Sequence, residues 1–172
     1  MSESFTLYKL IILYMLDKVD FPLTNAQLSD FILDQGYTTY FTLQQAINEL
    51  LESELIGAES VRNSSFYQIT QEGRDTLEYF GNRISETIRT EIDEFLKEKK
   101  YELRNEVSVI ADYYKTTHHD FEAHCVIRDR THHLIELSLM VPTEEQAEAV
   151  CNQWKAKSQD IYAYLISELI GE

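Results

Sequence analysis

The chain has 172 residues, of which 44% are hydrophobic and 26% are charged, and it carries a formal net charge of −15. This composition excludes a disordered protein and leaves room for one domain or two small ones, with enough apolar residues to bury a core. The acidity extends over both halves, because residues 1–80 already hold 4 Lys and Arg against 12 Asp and Glu. Such a field keeps a protein soluble and repels phosphate backbones, which argues against easy nucleic-acid binding.

The first predicted helix covers about residues 5–18, where apolar residues recur every three or four positions after a capping Ser4. Its apolar run of about ten residues is too short for a membrane span, which needs about 20. We therefore interpret it as a core helix and expect a cytoplasmic protein that does not enter a membrane. Cys125 and Cys151 lack metal-type spacing. We expect them to be buried thiols in a reducing compartment.

Two short helices with a tight connection are predicted next. Thr24 and Gln27 have the spacing of a capping box at the start of the second helix. Gly36 occupies a position that suits a left-handed residue at a helix end. The third helix starts within a few residues, and either Thr38 or Thr39 is placed to cap it.

The third helix is predicted to have two contrasting faces. The residues expected to point inward at helical spacing are Phe41, Leu43, Ala46, Ile47, Leu50 and Leu51. The residues left outside are Thr39, Tyr40, Thr42, Gln44, Gln45 and Asn48. The outer face is therefore polar, uncharged and able to form hydrogen bonds until Glu49 is reached.

A two-stranded hairpin is predicted after the third helix. Its strands are expected at residues 58–61 and 66–69, with a turn at residues 62–65. Thr70 is then placed to cap a fourth helix. A hairpin of this size after three helices is the layout of a winged helix-turn-helix.

Residues 66–74 carry a resemblance to known proteins. Many bacterial winged-helix regulators close the wing and start the next helix with the run Y-x-I/L-T-x-x-G-R/K, which is matched here by Tyr67, Ile69, Thr70, Gly73 and Arg74. Residues 23–28 and 43–50 resemble the second and third helices of those regulators. The whole chain resembles the domain of unknown function 4364 family of Gram-positive bacteria, most distinctively over residues 37–45 and 141–154. The resemblance implies a winged helix for architecture and, by fold-level analogy, a regulator of transcription for function.

The second half begins with a helix and then changes period. A helix capped by Ser85 is predicted over about residues 85–104, after an interruption at Gly81 and Asn82. It would act as a semi-rigid connector. From Glu106 the apolar residues alternate with polar ones in three successive sets, a pattern that is typical of strands. We predict a three-stranded antiparallel meander.

The register of this meander follows from the lengths of its loops. A five-residue loop at 115–119 would pair Tyr113 with Phe121, and a three-residue loop at 129–131 would pair Cys125 with Ile135. In the second pairing Ile127 would meet His133. Both loops place the three apolar sets on one face of the sheet, whereas a slip of one residue would scatter them.

A long last helix is predicted from Thr143, which has capping-box spacing to Gln146, to about Ile170. A stripe that can cover the sheet is formed by Ala147, Val150, Cys151, Trp154, Ile161, Leu165 and Leu169. The apolar residues left over near the end of the helix are Tyr162, Tyr164, Ile166 and Ile170. Surplus apolar surface of this kind predicts dimerisation through a helix from a second copy.

The polar face of the third helix leads to a DNA-binding hypothesis. In this hypothesis bases in the major groove would be read by Tyr40, Gln44, Gln45 and Asn48. Phosphates would be touched by Thr38, Thr39 and Thr42, and the wing tip would be Arg62 and Asn63. The difficulty is that no Lys or Arg occurs between Lys18 and Arg62, although cationic contacts normally supply most non-specific affinity. The alternative is a helix that packs and otherwise faces solvent.

The histidines suggest at most one thin metal cluster, in which His124 lies opposite Glu136 with His132 further along the strand. A metal site needs three or four convergent ligands, and Cys125 would point to the other face. We interpret the histidines as surface and turn residues and expect neither a metal nor a cofactor. No nucleophile motif, phosphate loop or paired-carboxylate signature stands out, so we expect no enzymatic activity.

These expectations combine into an α+β protein. It has a winged helix-turn-helix domain at 1–80, a connecting helix at 81–104, and a βββα module at 105–172 in which a long helix covers a three-stranded antiparallel sheet. The favoured function is a cytoplasmic DNA-binding transcriptional regulator that acts as a homodimer, with the βββα module spacing two recognition helices. The alternative is a protein–protein interaction module of the same fold. A small-molecule or metal sensor in the βββα module is a third, weaker idea, and the sequence names no effector.

Overall fold

The computed structural model describes residues 3–129 and 132–171. Within these residues the protein is α+β, with six α-helices and two three-stranded antiparallel sheets. It divides into two compact units, residues 1–104 and 105–172.

The first unit contains four helices, a three-stranded sheet and most of a fifth helix. Its elements are α1 (Glu3–Asp17), β1 (Leu23–Thr24), α2 (Asn25–Asp34), α3 (Tyr40–Glu52), β2 (Ile56–Val61), β3 (Ser64–Ile69), α4 (Gln71–Phe80), a short 3-10 turn (Gly81–Arg83) and α5 (Glu86–Ser108). The sheet order is β1-β3-β2. The strand β1, which no sequence pattern indicated, adds to the edge of the hairpin by pairing Leu23 with Tyr67.

The caps predicted for α2 and α3 are confirmed, whereas the predicted cap Ser4 is wrong, because α1 already includes Glu3 and Ser4 lies within the helix. The Gln27 N–H donates to Thr24 Oγ1 at 3.0 Å, and the Thr24 N–H donates to Gln27 Oε1 at 2.9 Å, which completes the capping box. Gly36 ends α2 with a left-handed φ of 72°. Thr39, rather than Thr38, caps α3. These local signals fix where α2 and α3 begin and how closely they follow each other.

The core of the first unit is built around α1, in which every residue from Leu10 to Leu16 is buried. A helix that is apolar all round lies inside a structure rather than on its surface. Residues of α5 pack onto the same unit, where Phe95 stacks on Phe31 with ring centroids 4.4 Å apart. Hydrogen bonds add to this packing, from Tyr14 to Asp93 at 2.7 Å, from Tyr37 to Glu91, and from Gln27 Nε2 to the Leu103 carbonyl at 3.3 Å.

The start of α4 lies directly against the chain that precedes β2. A Cβ atom at Gly73 would lie 2.1 Å from the carbonyl oxygen of Leu55 and 2.8 Å from Ile69 Cγ1. The same Leu55 carbonyl accepts the Thr70 N–H at 3.1 Å. Only glycine allows backbone to approach this closely, which explains why the run at 66–74 contains a glycine.

The second unit contains a three-stranded sheet and a long helix. Its elements are β4 (Val109–Lys115), β5 (Phe121–Asp129), β6 (His132–Val141) and α6 (Glu144–Ile170), and the sheet order is β4-β5-β6. The capping box of Thr143 and Gln146 at the start of α6 is confirmed. Cys125 and Cys151 are both buried, in a core that includes Trp154. Burial raises the pKa of the Cys125 thiol to about 11, with a smaller contribution from Cys151.

The predicted register of this sheet is wrong by two residues in both pairs. Tyr113 pairs with Ala123 rather than Phe121, because β4 extends through Lys115 and moves the loop one residue along. Cys125 pairs with Leu137 rather than Ile135, and a bulge lies between Ile127 and Arg128. Of the predicted loop at 129–131, Asp129 belongs to β5, and residues 130 and 131 lie outside the described residues. A shift of two keeps each side chain on its own face, so the apolar sets still share one side.

The sequence pattern also placed the start of β4 too early. The helix α5 continues to Ser108, whereas alternation predicted strand from Glu106. Val107 lies four residues after Leu103, and both are buried. That spacing continues a helical stripe, and it overlaps with the two-residue period of the strand that follows.

Candidate nucleic-acid interface

The N-terminus of α3 is organised by two threonine hydroxyls. Thr39 Oγ1 accepts the Thr42 N–H at 3.3 Å and donates to Thr42 Oγ1 at 3.0 Å. The hydroxyls of these two residues, which the sequence suggested as phosphate contacts, therefore stabilise the first turn of the helix. Thr38 precedes the cap and is half-buried.

One face of α3 projects from the unit, and it is defined by Phe41, Gln45 and Asn48. These residues are spaced four and then three positions apart along the helix. All three are exposed, and the exposed fraction of Phe41 is 76%. Tyr40 flanks this face and is 58% exposed. We name the three residues the 41/45/48 face. It carries an aromatic ring and two amides that can donate and accept hydrogen bonds.

The prediction that Phe41 points inward is wrong. The buried residues of α3 centre on Leu43, Ile47 and Leu50. At about 100° per residue, Phe41 lies roughly opposite the middle of that set, so its ring reaches solvent. The helical spacing itself could have placed Phe41 outside, but its apolar character favoured the core.

Gln44 differs from the other predicted base-reading residues, because its side-chain amide is bonded within the unit. Gln44 Nε2 donates to Asn25 Oδ1 at 3.0 Å, and Asn25 Nδ2 donates to Gln44 Oε1 at 2.8 Å. Asn25 Nδ2 also donates to the Tyr67 hydroxyl at 3.2 Å, and Gln44 Nε2 to Ser29 Oγ at 3.4 Å. This cluster ties α3 to α2 and to the hairpin. Sequence reasoning missed Asn25, Ser29 and Tyr67 in this role, since no local pattern links positions so far apart.

The hairpin between β2 and β3 turns over two residues, not over the four predicted. Val61 pairs with Ser64, and Ser60 pairs with Ser65, so both serines belong to the strand. Arg62 and Asn63 form the turn with left-handed φ angles of 48° and 67°. Positive φ at both central residues is the conformation of a type I′ turn, which matches the twist of the strands beside it.

A groove of about 550 Å³ lies between the start of α2, the start of α3 and the hairpin turn. Tyr40, Asn25 and Ser29 line it on the helical side, and Asn63 lines it on the hairpin side. Asp30 brings a carboxylate to its wall. The lining of the groove is therefore mixed in polarity and slightly acidic, which suits hydrogen bonding better than binding of a phosphate.

The basic side chains of Lys9 and Arg74 in the first unit are held in ion pairs. Lys9 Nζ lies 3.0 Å from Glu49 Oε1 of α3, and Arg74 Nε lies 3.4 Å from Asp17 Oδ1. The Lys9 pair neutralises the acid closest in sequence to the 41/45/48 face. Arg62 brings a positive charge to the hairpin turn.

The residues suggested for dimerisation divide into two groups. Tyr162 packs against the core of the second unit, so it is not surplus. Tyr164, Ile166 and Ile170 are 64%, 40% and 70% exposed. Leu169, which was expected in the covering stripe, is 80% exposed because the buried residues of α6 end at Ser158.

The histidine cluster on the sheet differs from the expected one. His124 pairs in register with Ser138, but its Nε2 lies 2.6 Å from Glu136 Oε1. His133 Nδ1 lies 3.1 Å from the other carboxylate oxygen. The bulge at Ile127 turns His133, and not His132, onto this face. Hydrogen bonds lower the pKa of Glu136, with the larger contribution from His133 and a smaller one from His124. Within the described ranges, no group of three His, Cys, Asp or Glu residues is arranged to hold a metal ion.

Comparisons with known proteins assign this chain to one family. The model of that family, described as a domain of unknown function (DUF4364), matches residues 8–169. No curated protein and no solved structure matches the chain. Among the helices of the described residues, none is both long enough and apolar enough to cross a membrane.

Proposed function

Because the chain belongs to the DUF4364 family, a family defined by sequence and not by activity, we propose its function from its own residues: a cytoplasmic DNA-binding transcriptional regulator. In this proposal the first unit is a winged helix-turn-helix. The helices α2 and α3 form the helix-turn-helix, and the β2–β3 hairpin is the wing. The protein acts as a homodimer, so that it prefers a palindromic site.

The observation that carries this proposal is the 41/45/48 face, which is uncharged and lies on a helix whose opposite side is buried in the core. Leu43, Ile47 and Leu50 anchor α3 in the core, and the Asn25–Gln44 pair fixes it to α2. A helix held in this way can enter a major groove without rearrangement. An outward face that shows amides rather than carboxylates also limits repulsion by phosphates.

The chemistry of the face suits base edges. Gln45 and Asn48 can each form a bidentate pair with adenine, accepting from N6 and donating to N7. Phe41 can contact the methyl group of thymine. We therefore expect an A·T-containing recognition sequence. In this arrangement Arg62 and Asn63 at the hairpin turn reach the backbone or the minor groove.

The expected electrostatic contribution is small. An Arg62 from each of two copies would neutralise about two phosphates, so the logarithm of the binding constant should fall with a slope of roughly −2 against the logarithm of salt concentration. Affinity would then depend on base contacts more than in a typical basic regulator. This is how an acidic protein could bind DNA selectively, since it would have little affinity for non-specific sites.

The proposal is tested by selecting bound sequences from a random DNA pool at low salt and then measuring affinity by fluorescence anisotropy. Gln45→Ala and Asn48→Ala should each weaken binding to the selected sequence by roughly tenfold or more, from the loss of about 1–3 kcal/mol per bidentate pair. The matched control is Gln159→Ala, at an exposed position on α6, and it should bind like the unmodified protein. If the protein shows no salt-dependent binding to genomic DNA fragments even at low ionic strength, the proposal fails.

The alternative function is a protein-interaction module, and the exposure of Phe41 favours it. Aromatic side chains are enriched at protein interfaces, and charged ones are depleted at their centres. The 41/45/48 face meets both conditions. Under this alternative Phe41→Ala would abolish capture of a protein partner, while neither the protein nor its variant would bind DNA.

A further inference from the structure

The second unit leaves one side of its sheet partly uncovered. The helix α6 packs mainly over β4 and β5 and much less over the edge strand β6. A groove of about 650 Å³ remains between α6 and β6, and its wall includes Leu137, Leu139, Trp154, Ile161 and Leu165. Leu139 is 46% exposed. An open apolar groove of this kind on a small unit indicates a binding surface.

The residues of α6 that border this groove form a regular stripe. Gln153, Lys157, Asp160 and Tyr164 all line it, and their spacing of four, three and four places them on one face of the helix. We name them the 153–164 stripe. At about 1.5 Å per residue the stripe is about 16 Å long.

The 153–164 stripe is complementary to itself. If two copies align antiparallel about an axis midway between Lys157 and Asp160, then Lys157 of each copy faces Asp160 of the other. The same alignment places Gln153 opposite Tyr164 in both directions. A two-fold interface requires this reciprocity, because residue i must meet residue j and residue j must meet residue i.

We propose that the groove is closed by a second copy of this chain, which docks antiparallel along the 153–164 stripe. This assigns the dimer surface of the proposed regulator and in that sense rests on the proposed function. Tyr164, which is 64% exposed, covers the apolar wall of the partner copy beside Leu139. The two Lys157–Asp160 pairs lie at the rim and set the register. A small apolar ligand would leave both charges without a role, whereas a second copy uses both.

The proposal is tested by analytical ultracentrifugation of the full chain without DNA. Lys157→Asp places an acid opposite Asp160 twice, and Asp160→Lys places a base opposite Lys157 twice. Each variant should weaken the dimer by about tenfold or more, because two attractive pairs become repulsive. The control is Lys155→Asp, which makes the same change of charge at an exposed position outside the groove. It should associate like the unmodified chain.

Mixing the two charge variants gives the sharpest result. In a mixed dimer the acid introduced at position 157 of one chain faces the base introduced at position 160 of the other. The original Asp160 of the first chain still faces the original Lys157 of the second, so heterodimers should form from two chains that each associate poorly. The double variant Lys157→Asp/Asp160→Lys should likewise regain self-association. Circular dichroism checks that all variants keep their helix content, as expected for exposed positions.

Three results would overturn the proposal. One is an unmodified chain that sediments as a single copy at micromolar concentration. Another is a dimer that the charge variants leave unchanged. The third is a monomeric chain that binds the apolar probe anilinonaphthalene sulfonate and loses it with Leu139→Asp, since the groove would then be a small-molecule site. A dimer that does not bind DNA removes only the proposed function, whereas a monomer that binds DNA removes this surface and the homodimer but leaves DNA binding in place.

Discussion

Two tyrosines of the first unit donate hydrogen bonds to carboxylates of α5. Tyr14 donates to Asp93, and Tyr37 donates to Glu91. Burial, followed by the hydrogen bond and the charge of Asp93, raises the pKa of Tyr14 to about 12. Burial and the contact with Glu91 likewise raise the pKa of Tyr37. Both phenols must stay protonated for α5 to keep these contacts.

We expect the free energy of unfolding to fall at alkaline pH. The pKa of Tyr14 is higher in the folded state than its ordinary value of 10.0, so its stabilisation is complete below pH 10 and is lost as pH rises towards 12. The loss is at most about 1.4 kcal/mol per pH unit for one such tyrosine. Urea unfolding of the unmodified chain and of Tyr14→Phe, followed between these pH values, measures it.

The variant Tyr14→Phe should show a shallower decline, with the remainder due to Tyr37. Tyr101→Phe serves as the control, because Tyr101 is 76% exposed and the change leaves Tyr14 in place. It should retain the decline of the unmodified chain. A Tyr14→Phe curve as steep as that of the unmodified chain would contradict the assignment.

The sequence predicted single residues well where the interaction is local. The caps Thr24, Thr39 and Thr70 were found because each bonds to a residue three positions away. Gln44 was misjudged because its partner Asn25 lies 19 residues earlier. A polar residue on the outer side of a helix can be tied to a neighbouring helix, and only the packing reveals it.

At the scale of elements, the crossing of α4 over the chain before β2 depends on Gly73. The carbonyl oxygen of Leu55 occupies the space that a Cβ would need. The close approach lets α4 begin directly after the hairpin, with Thr70 as its cap. The position of the hairpin relative to the helices follows from this contact.

Gly73→Ala should therefore destabilise the protein by about 2–3 kcal/mol, since the backbone must move to relieve the overlap. Gly57→Ala is the control, because a Cβ at Gly57 meets nothing within 4 Å. That control should change stability by no more than about 0.5 kcal/mol. The midpoints of urea unfolding compare the two variants, and equal midpoints would mean that the contact at Gly73 is easily relieved.

Strand pairing shows what alternation can and cannot predict. The period of two decided correctly which apolar residues of β4, β5 and β6 share a face, because burial selects one side. It was wrong for His133, which the bulge turns to the opposite face. It did not determine which residues pair across neighbouring strands, since a shift of two residues leaves each side chain on the same side of the sheet. The bulge after Ile127 arises from pairing across the hairpin. No sequence pattern near Ile127 predicts this bulge.

At the scale of the whole molecule, the dominant property is the excess of acidic over basic residues, 30 against 15. The excess negative charges repel one another within the folded chain, and they also repel the phosphates of nucleic acids. Salt screens both effects, because the Debye length shortens from about 10 Å at 0.1 M to about 3 Å at 1 M. Folding and DNA binding should consequently respond to salt in opposite directions.

Raising sodium chloride from about 0.05 to about 0.5 M should increase the free energy of unfolding by roughly 1 kcal/mol. The same change should reduce DNA affinity by roughly a hundredfold, from the slope of about −2 expected for two Arg62 contacts. A triple variant, Glu78→Gln, Glu94→Gln and Glu98→Gln, removes three exposed acids and should flatten the first response. Unfolding that is insensitive to salt would show that the charges are already compensated locally.

The hydrogen-bonded cluster behind α3 also bears on how this protein can evolve. Phe41, Gln45 and Asn48 are exposed, so a substitution there should alter what the surface contacts while the fold persists. Gln44 is hydrogen-bonded to Asn25, which is also hydrogen-bonded to Tyr67. Replacing one of these residues removes hydrogen bonds that the other side chains make. We therefore expect the three exposed positions to accept substitution independently, whereas a change at Gln44 requires compensating changes at residues far away in the sequence.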